Sequence, residues 1–226
     1  YARQDRKSAG REPISAKLIA DMLQTAGATR VLSVDFHSGQ IQGFFDIPVD
    51  HLVAAPVLEQ YLKENADPHS LVVVAPDAGR VKVAERYAQH LGCDLALVHK
   101  TRPTGTMNHV EARHIVGDVD GRHCILIDDM IDTAGTIVAA CSLLKDFGAE
   151  EIWVMATHAV FSPPAVDRLF NAPVSRVVVT DTLPLPQERR FEKLEVLSVA
   201  PIIATAISAI FEDSSVSHIF NGENLL

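Results

Sequence analysis

Short runs of β-branched and aliphatic residues alternate along the chain with longer stretches whose apolar positions recur at helical spacing. The runs RVLSVD, LVVVAPDAG, DLALVHK, HCILIDD, EIWVMATH and RVVVTD read as strands. They are continuously apolar rather than alternating, the pattern of a parallel sheet covered by helices on both faces. Between them, ISAKLIADMLQTAGA is predicted as a helix opened by Pro13, whose missing N–H costs nothing in a first turn, and stopped at Gly27. Further helices are predicted from about Arg80 to Leu91 and from about Thr136 to Phe147. The longest stretch without a predicted element runs from Lys100 to about His114.

Composition narrows this α/β reading. With 226 residues, 47% of them hydrophobic and 22% charged, the chain can bury a sizeable core, and 12 Gly and 12 Pro exclude collagen-like or low-complexity classes. Twenty basic against 29 acidic residues leave a formal charge of −9, so nucleic acid is not an expected partner and any anion site must be local. Cys93, Cys124 and Cys141 are odd in number and lack C-x-x-C spacing, which favours neither a disulfide framework nor a zinc site and fits a cytoplasmic protein. Pro201 to Phe211 is too short to span a bilayer, so no membrane span is predicted. The chain opens on Tyr1 and a charged segment without the apolar core of a signal peptide, which reads as a start inside a longer protein.

In open α/β sheets ligands bind beyond the carboxyl ends of the strands. Four of those ends carry unusual chemistry: Asp35-Phe36-His37, Pro76-Asp77-Ala78-Gly79, His99-Lys100-Thr101-Arg102, and Asp128-Asp129 followed by Met130-Ile131 and Asp132-Thr133-Ala134-Gly135-Thr136. Together they suggest a cleft for a phosphorylated, metal-bound ligand. Adjacent carboxylates at the end of a buried strand repel and lose hydration, so they require hydroxyl donors, a cation or open water. The turn that follows, small and hydroxyl-bearing, can hold a phosphate on free N–H groups and two Thr hydroxyls.

ILIDDMIDTAGT resembles the phosphoribosyl-diphosphate signature of the type I phosphoribosyltransferase fold. YARQDRK, REPISAKLIADML, DFHSGQIQGFFDIPVDHL, PDAGRVKVAERYA, ALVHKTR and THAVFSPPAVDRL, in this order, resemble the ribose-phosphate diphosphokinase family over essentially the whole chain. The resemblance implies transfer of the diphosphoryl group of ATP to the anomeric hydroxyl of ribose 5-phosphate, with AMP as the other product and Mg²⁺ as cofactor. It implies metal positions at His37 and Asp77, ATP contacts at Arg3, Gln4 and His37, and catalytic cations at Lys100 and Arg102 on a mobile loop continued by Thr104-Gly105-Thr106 and Asn108. Arg102, Asp128, Asp129, Asp132, Thr133, Ala134, Gly135 and Thr136 are the implied ribose 5-phosphate contacts. Ser215 and Ser217 match part of a regulatory phosphate site, a plain Ser-rich edge strand being the alternative, and the implied assembly is a homo-oligomer, a hexamer, activated by phosphate and inhibited by ADP.

Two departures stand out. Arg80 occupies a position where the family often has Gly, adding a cation beside the metal position, and Phe36 replaces the family's Leu, an exchange expected to be absorbed by packing. The resemblance also implies a segment before YARQDRK with a loop that holds adenine in a neighbouring subunit. The expected organisation is therefore two similar domains of which the first is incomplete: residues 1–56 as its remnant, 57–211 as a phosphoribosyltransferase-like domain, and 212–226 as a tail returning to the first, with one edge of RVLSVD left unpaired or otherwise covered. A phosphoribosyltransferase would share ILIDDMIDTAGT but has no use for YARQDRK or for His37 and Asp77. A non-catalytic regulatory homologue would be expected to lose its loop cations or gain an insertion in the loop, whereas Lys100 and Arg102 are both present in a short loop.

Overall fold

The computed structural model describes residues 1–7, 9–101 and 112–220. In chain order the elements are α1 (Ser15–Thr25), β1 (Val31–Val34), β2 (Val49–Leu52), α2 (Ala55–Asn65), β3 (Leu71–Ala75), α3 (Val81–Leu91), β4 (Asp94–Thr101), β5 (Ala112–Val116), β6 (His123–Ile131), α4 (Gly135–Asp146), β7 (Glu151–Ala159), α5 (Ala165–Asn171), β8 (Arg176–Thr180), β9 (Leu194–Leu197) and α6 (Ala200–Phe211). They fall into two units, one comprising Tyr1–Pro56 with the chain from Val199 onward, the other Val57–Ser198. Helix α6 thus belongs with the first unit, whereas the sequence reading carries the second domain on to Phe211.

In the first unit α1 buries Ala16 and Ala20, one turn apart, and ends where Gly27 adopts φ +101. Strands β1 and β2 pair in parallel from Val31 opposite Val49 to Val34 opposite Leu52, and β1 has no other ladder partner among the described residues. The connection between them contains a 3₁₀ turn over Gly39–Phe44. Helix α6 has Pro201 in its first turn and buries Ile202, Ala206 and Ala209 at helical spacing. Beyond it Ser215 and Ser217 lie at the start of a 3₁₀ turn, Val216–Phe220, rather than in a strand, and the Ser217 N–H donates to Ser215 Oγ at 3.2 Å.

The second unit is a seven-stranded sheet in the order β5-β4-β3-β6-β7-β8-β9. Every neighbouring pair is parallel except β4 with β5, so the sheet is predominantly rather than wholly parallel. β3 is buried at all five positions, β6 at its first five and β8 at Val177–Thr180, which is why they read as apolar runs. Each Val or Leu so enclosed contributes about 1.5–3 kcal/mol. Cys124, Leu126, Val154, Val177 and Val179 share a core with Ile137, Cys141 and Leu144 of α4 and with Leu169 of α5. Alternate residues face the other side, where Tyr61 of α2 packs against Trp153 with ring centroids 6.1 Å apart. Arg176 locks that contact: its guanidinium stands 4.3 Å over the Trp153 ring and pairs with Glu195 at 3.2 Å. Burial and the hydrogen bond to Glu195 push the Tyr61 hydroxyl up to about 12.

The chain steps from β3 to β4 on one side and then returns to place β6 on the other. That reversal creates a crevice at the carboxyl ends of β3 and β6, the place where this architecture binds ligands. The loop expected from Lys100 to His114 is strand at both ends, with Lys100 opposite Arg113 and Thr101 opposite Ala112 at the close of an antiparallel pair; the residues between lie outside the described ones.

Candidate functional site

At the crevice, the last four residues of β6 include Asp128 and Asp129, and the turn Asp132 to Ala134 leads into α4, which opens with Gly135 and Thr136. Ala134 is the N-cap in a left-handed conformation, φ +60, and no side chain caps the helix. Ala134 as the N-cap offers the first N–H groups of α4 no side-chain acceptor, and Thr133, Gly135 and Thr136 are exposed beside them. That is the chemistry of a phosphate cradle. The Ala134 methyl is only 4% exposed and belongs to the core, so the turn is anchored from below.

The two acids differ. The Asp128 side chain is 22% exposed and that of Asp129 is 7% exposed. Arg80 meets both: its Nε lies 3.0 Å from Asp128 Oδ1, and its Nη2 pairs with Asp129 Oδ1. Burial, and after it a hydrogen bond with Asp129, push the Asp128 carboxyl up to about 7 despite the guanidinium. The cation that replaces the family's Gly thus serves the acid pair.

Asp77 stands exposed just past β3, and its Oδ1 accepts the Gly79 N–H at 2.9 Å. A Cβ on Gly79 would sit 3.2 Å from that oxygen, so glycine keeps the turn close. Among the described residues no three His, Cys, Asp or Glu enclose a metal ion. A solitary exposed carboxylate instead fits Mg²⁺, which keeps several waters and uses few protein ligands.

In the first unit, His37 lies half-buried in the loop after β1. The loop is held on both sides of it. Asp35, at φ +45, accepts the Ala54 N–H through Oδ2 at 2.9 Å, and the Phe36 N–H donates to His51 Nε2 at 2.9 Å. The Phe36 ring packs against His51, tilted by 58° with centroids 5.0 Å apart. On the other side Asp5, 8% exposed, accepts from Ser38 Oγ at 2.5 Å and from Gln40 Nε2 at 2.9 Å. This carboxylate ties YARQDRK to the His37 loop, leaving Arg3 and Gln4 exposed next to it.

The structure therefore gathers Asp77, Asp128, Asp129 and Asp132–Thr136 at one rim of the second unit, with Lys100 at the end of the neighbouring strand β4. Arg3, Gln4, His37, Ser215 and Ser217 lie in the first unit. Arg102, Thr104, Gly105, Thr106 and Asn108 lie outside the described residues. Sequence reasoning missed three supporting groups: Asp5, the use of Arg80, and Arg168, whose Nη1 donates to the Thr133 carbonyl at 2.9 Å. Arg168 lies within THAVFSPPAVDRL, yet nothing local to that motif reveals its partner.

A family model described as the phosphoribosyl synthetase-associated domain matches residues 103–221, and one described as the N-terminal domain of ribose phosphate pyrophosphokinase matches residues 1–27. The ribose-phosphate pyrophosphokinase of Bifidobacterium longum (strain NCC 2705) is 55% identical over 224 residues, covering 98% of this chain and 66% of that protein. Its counterpart in Streptomyces avermitilis is 56% identical over 221 residues, covering 98% of this chain and 68% of that protein. The crystal structure of phosphoribosylpyrophosphate synthetase from Mycobacterium smegmatis superposes with a TM-score of 0.88 at 52% identity, covering 95% of this chain and 69% of that one. The chain spans about two thirds of the length of these relatives. No helix among the described residues is long and apolar enough to cross a membrane. With most of its length matched at this identity, and with the acid pair, the Thr turn and the PDAG carboxylate at one rim of its sheet, the chain belongs to the ribose-phosphate pyrophosphokinase family.

Proposed function

We propose that the protein transfers the diphosphoryl group of ATP to the anomeric hydroxyl of ribose 5-phosphate, giving 5-phosphoribosyl 1-diphosphate and AMP. The observation that carries this reading is the crevice between β3 and β6, where an uncapped helix N-terminus, a paired-acid strand end and an exposed carboxylate meet. The Thr133–Thr136 turn holds the 5-phosphate, and Asp128 accepts hydrogen bonds from ribose hydroxyls, backed by Asp129. Asp132 completes the turn. His37 of the first unit and Asp77 of the second are each assigned to Mg²⁺ on the family resemblance, and the ion would supply charge neutralisation on the phosphate oxygens when bound. Arg3, Gln4 and His37 contact the nucleotide; a guanidinium fork matches phosphate oxygens and an amide reads polar edges.

The C1 hydroxyl oxygen bonds to the β-phosphorus and releases its proton to water, as the bond between that phosphorus and the oxygen bridging it to the α-phosphorus breaks; that oxygen leaves with AMP. Lys100 and Arg102 stabilise the charge that develops on the transferring group. Free Cys93, Cys124 and Cys141 support a reducing, cytoplasmic setting. Exposed Leu18 and Met22 on α1 and Phe211 on α6 support a homo-oligomer, hexameric by family likeness, in which the first unit meets further protein surface. Ser215 and Ser217 are assigned to a regulatory phosphate site on the family resemblance.

The test is incubation of the full-length protein with ATP, Mg²⁺ and ribose 5-phosphate. AMP and a diphosphorylated pentose should appear in equal amounts. ADP as the nucleotide product, or no product that depends on the sugar phosphate, would refute the reading.

A further inference from the structure

Arg80 is the last residue of the short 3₁₀ turn Ala78–Arg80, and it is fixed at both ends. Its backbone N–H donates to the Asp77 carbonyl at 3.2 Å, while its guanidinium reaches Asp128 and Asp129. The placement follows from the sheet. The β3–β6 ladder runs in register to Val74 opposite Leu126, and Asp77, just past β3, and Asp129, within β6, each lie three residues beyond that pair. A side chain leaving the Asp77 turn towards β6 therefore lands on the acids. Its own exposure is 17%, so this is an enclosed contact rather than a solvated surface pair.

A planar fork engages two adjacent carboxylates through N–H donors set in fixed directions, whereas an ammonium, with three rotatable donors on a flexible stem, reaches both without fixing either. Each pair uses Oδ1 of its carboxylate, and Asp128 is the more exposed of the two. The fork thereby sets the direction in which the Asp128 carboxylate faces the crevice. Directional acceptors recognise a hydroxyl strongly only when they are held before the ligand arrives, because a site built for a hydroxyl rejects an analogue that leaves its polar groups unpaired.

We propose that Arg80 is a positioning residue that sets the preference of the sugar site for ribose 5-phosphate over 2-deoxyribose 5-phosphate by orienting Asp128 and Asp129 towards the vicinal hydroxyls. This rests on the reading of the crevice as the ribose 5-phosphate site. The phosphate end of the ligand is held by the separate Thr133–Thr136 turn, so loss of Arg80 acts on the sugar hydroxyls and not on the phosphate.

The experiment is calorimetric titration of the full-length protein with each sugar phosphate, in the presence of Mg²⁺ and a non-transferring ATP analogue, for wild type, R80A and R80K, with thermal melts to establish folding. The ratio of the two affinities should fall by roughly threefold or more in R80A, and by a smaller step in R80K, which keeps the charge without the fork. R80K keeps the proposal testable should R80A fail to fold: any fall in its ratio supports the proposal, and an unchanged ratio overturns it. A ratio in folded R80A that changes by less than about threefold, including equal weakening of both ligands, would reduce Arg80 to a structural neutraliser and overturn the proposal. Tighter ribose 5-phosphate binding in R80A would show that Arg80 competes with the sugar, and would overturn it as well. A wild type without preference for ribose would refute the sugar-site reading and this inference with it, an outcome distinct from a wild-type preference that survives in the variants.

Discussion

Arg168 Nη1 donates to the Thr133 carbonyl oxygen across 2.9 Å, so α5 braces the turn from which α4 starts. The fit is close: a Cβ on Gly135 would lie 3.4 Å from the same nitrogen. The contact is exposed, which limits its worth to the order of 1 kcal/mol. Replacing Arg168 with Ala should raise KM for ribose 5-phosphate by roughly three- to tenfold while leaving KM for ATP unchanged. Steady-state kinetics with each substrate varied in turn is the measurement; an equal rise in both KM values would mean that the turn is not what Arg168 supports.

Ala134 performs a task usually given to glycine, holding φ +60 with its methyl in the core. The left-handed conformation costs an L-residue roughly 1–2 kcal/mol. Substitution with Gly relieves that strain but removes a buried methyl worth about 0.8 kcal/mol and loosens the unfolded chain, so A134G should be stable to within about 1 kcal/mol of wild type. A134V adds β-branching and volume at a closed site and should lose about 2 kcal/mol or more, together with ribose 5-phosphate binding. Denaturant melts and calorimetry on both variants separate the two effects. Full stability of A134V would show that the turn has room that the burial of Ala134 denies.

Asp5 predicts a complementary effect on the nucleotide side. Its buried carboxylate receives two donors, Ser38 Oγ and Gln40 Nε2, and replacing it with Ala strands both. The expected cost is about 2–3 kcal/mol, with a rise in KM for ATP, since Arg3, Gln4 and the His37 loop lose their common anchor. KM for ribose 5-phosphate should stay within about twofold. D5N, which keeps one acceptor, should be milder. A variant with unchanged ATP kinetics would detach Asp5 from nucleotide binding.

How far the sequence could be read depended on whether a feature is local. β3, β6, β7 and β8 were legible because central strands of a covered sheet are apolar at nearly every position. β2 (VDHL) and β9 (LEVL) were not, being four-residue strands with polar residues among half-buried ones. β5 lies on the sheet edge and pairs antiparallel with β4, a fact its own composition does not announce. The acid pair and Thr turn are contiguous and could be recognised outright. The grip of Arg80 on them depends on β3 lying beside β6, and that of Asp5 on Ser38 and Gln40 depends on the amino-terminal segment lying on the loop after β1. No window of sequence contains both partners. The same reason applies to α6: the sequence shows only an apolar stretch at Pro201 to Phe211, and which unit buries Ile202 and Ala206 is a tertiary fact.

Asp128 makes the paired-acid site sensitive to pH in a direction opposite to that of most aspartates. Burial first, and the hydrogen bond with Asp129 second, push its folded carboxyl up to about 7 from a reference of 3.8, while Arg80 pulls the other way. Between roughly pH 4 and pH 7 the native state therefore binds a proton that the unfolded chain has released, and stability from this group falls as pH rises across that window. Above the folded value the cost of the buried charge is fully present and the slope ends. D128N carries no titrating group there, so its melting temperature relative to wild type should climb from pH 5 to pH 7 and level off by pH 8, superimposed on a constant offset from the lost pairing with Arg80. Ribose 5-phosphate binding should be weakened in D128N most clearly above pH 7, where the wild-type carboxylate is ionised, because an amide places a donor where an acceptor stood. Thermal melts of both proteins at half-unit intervals from pH 5 to pH 8 give the answer: a difference that stays flat across the range would show that Asp128 is ionised throughout, and that Arg80 outweighs burial at this strand end.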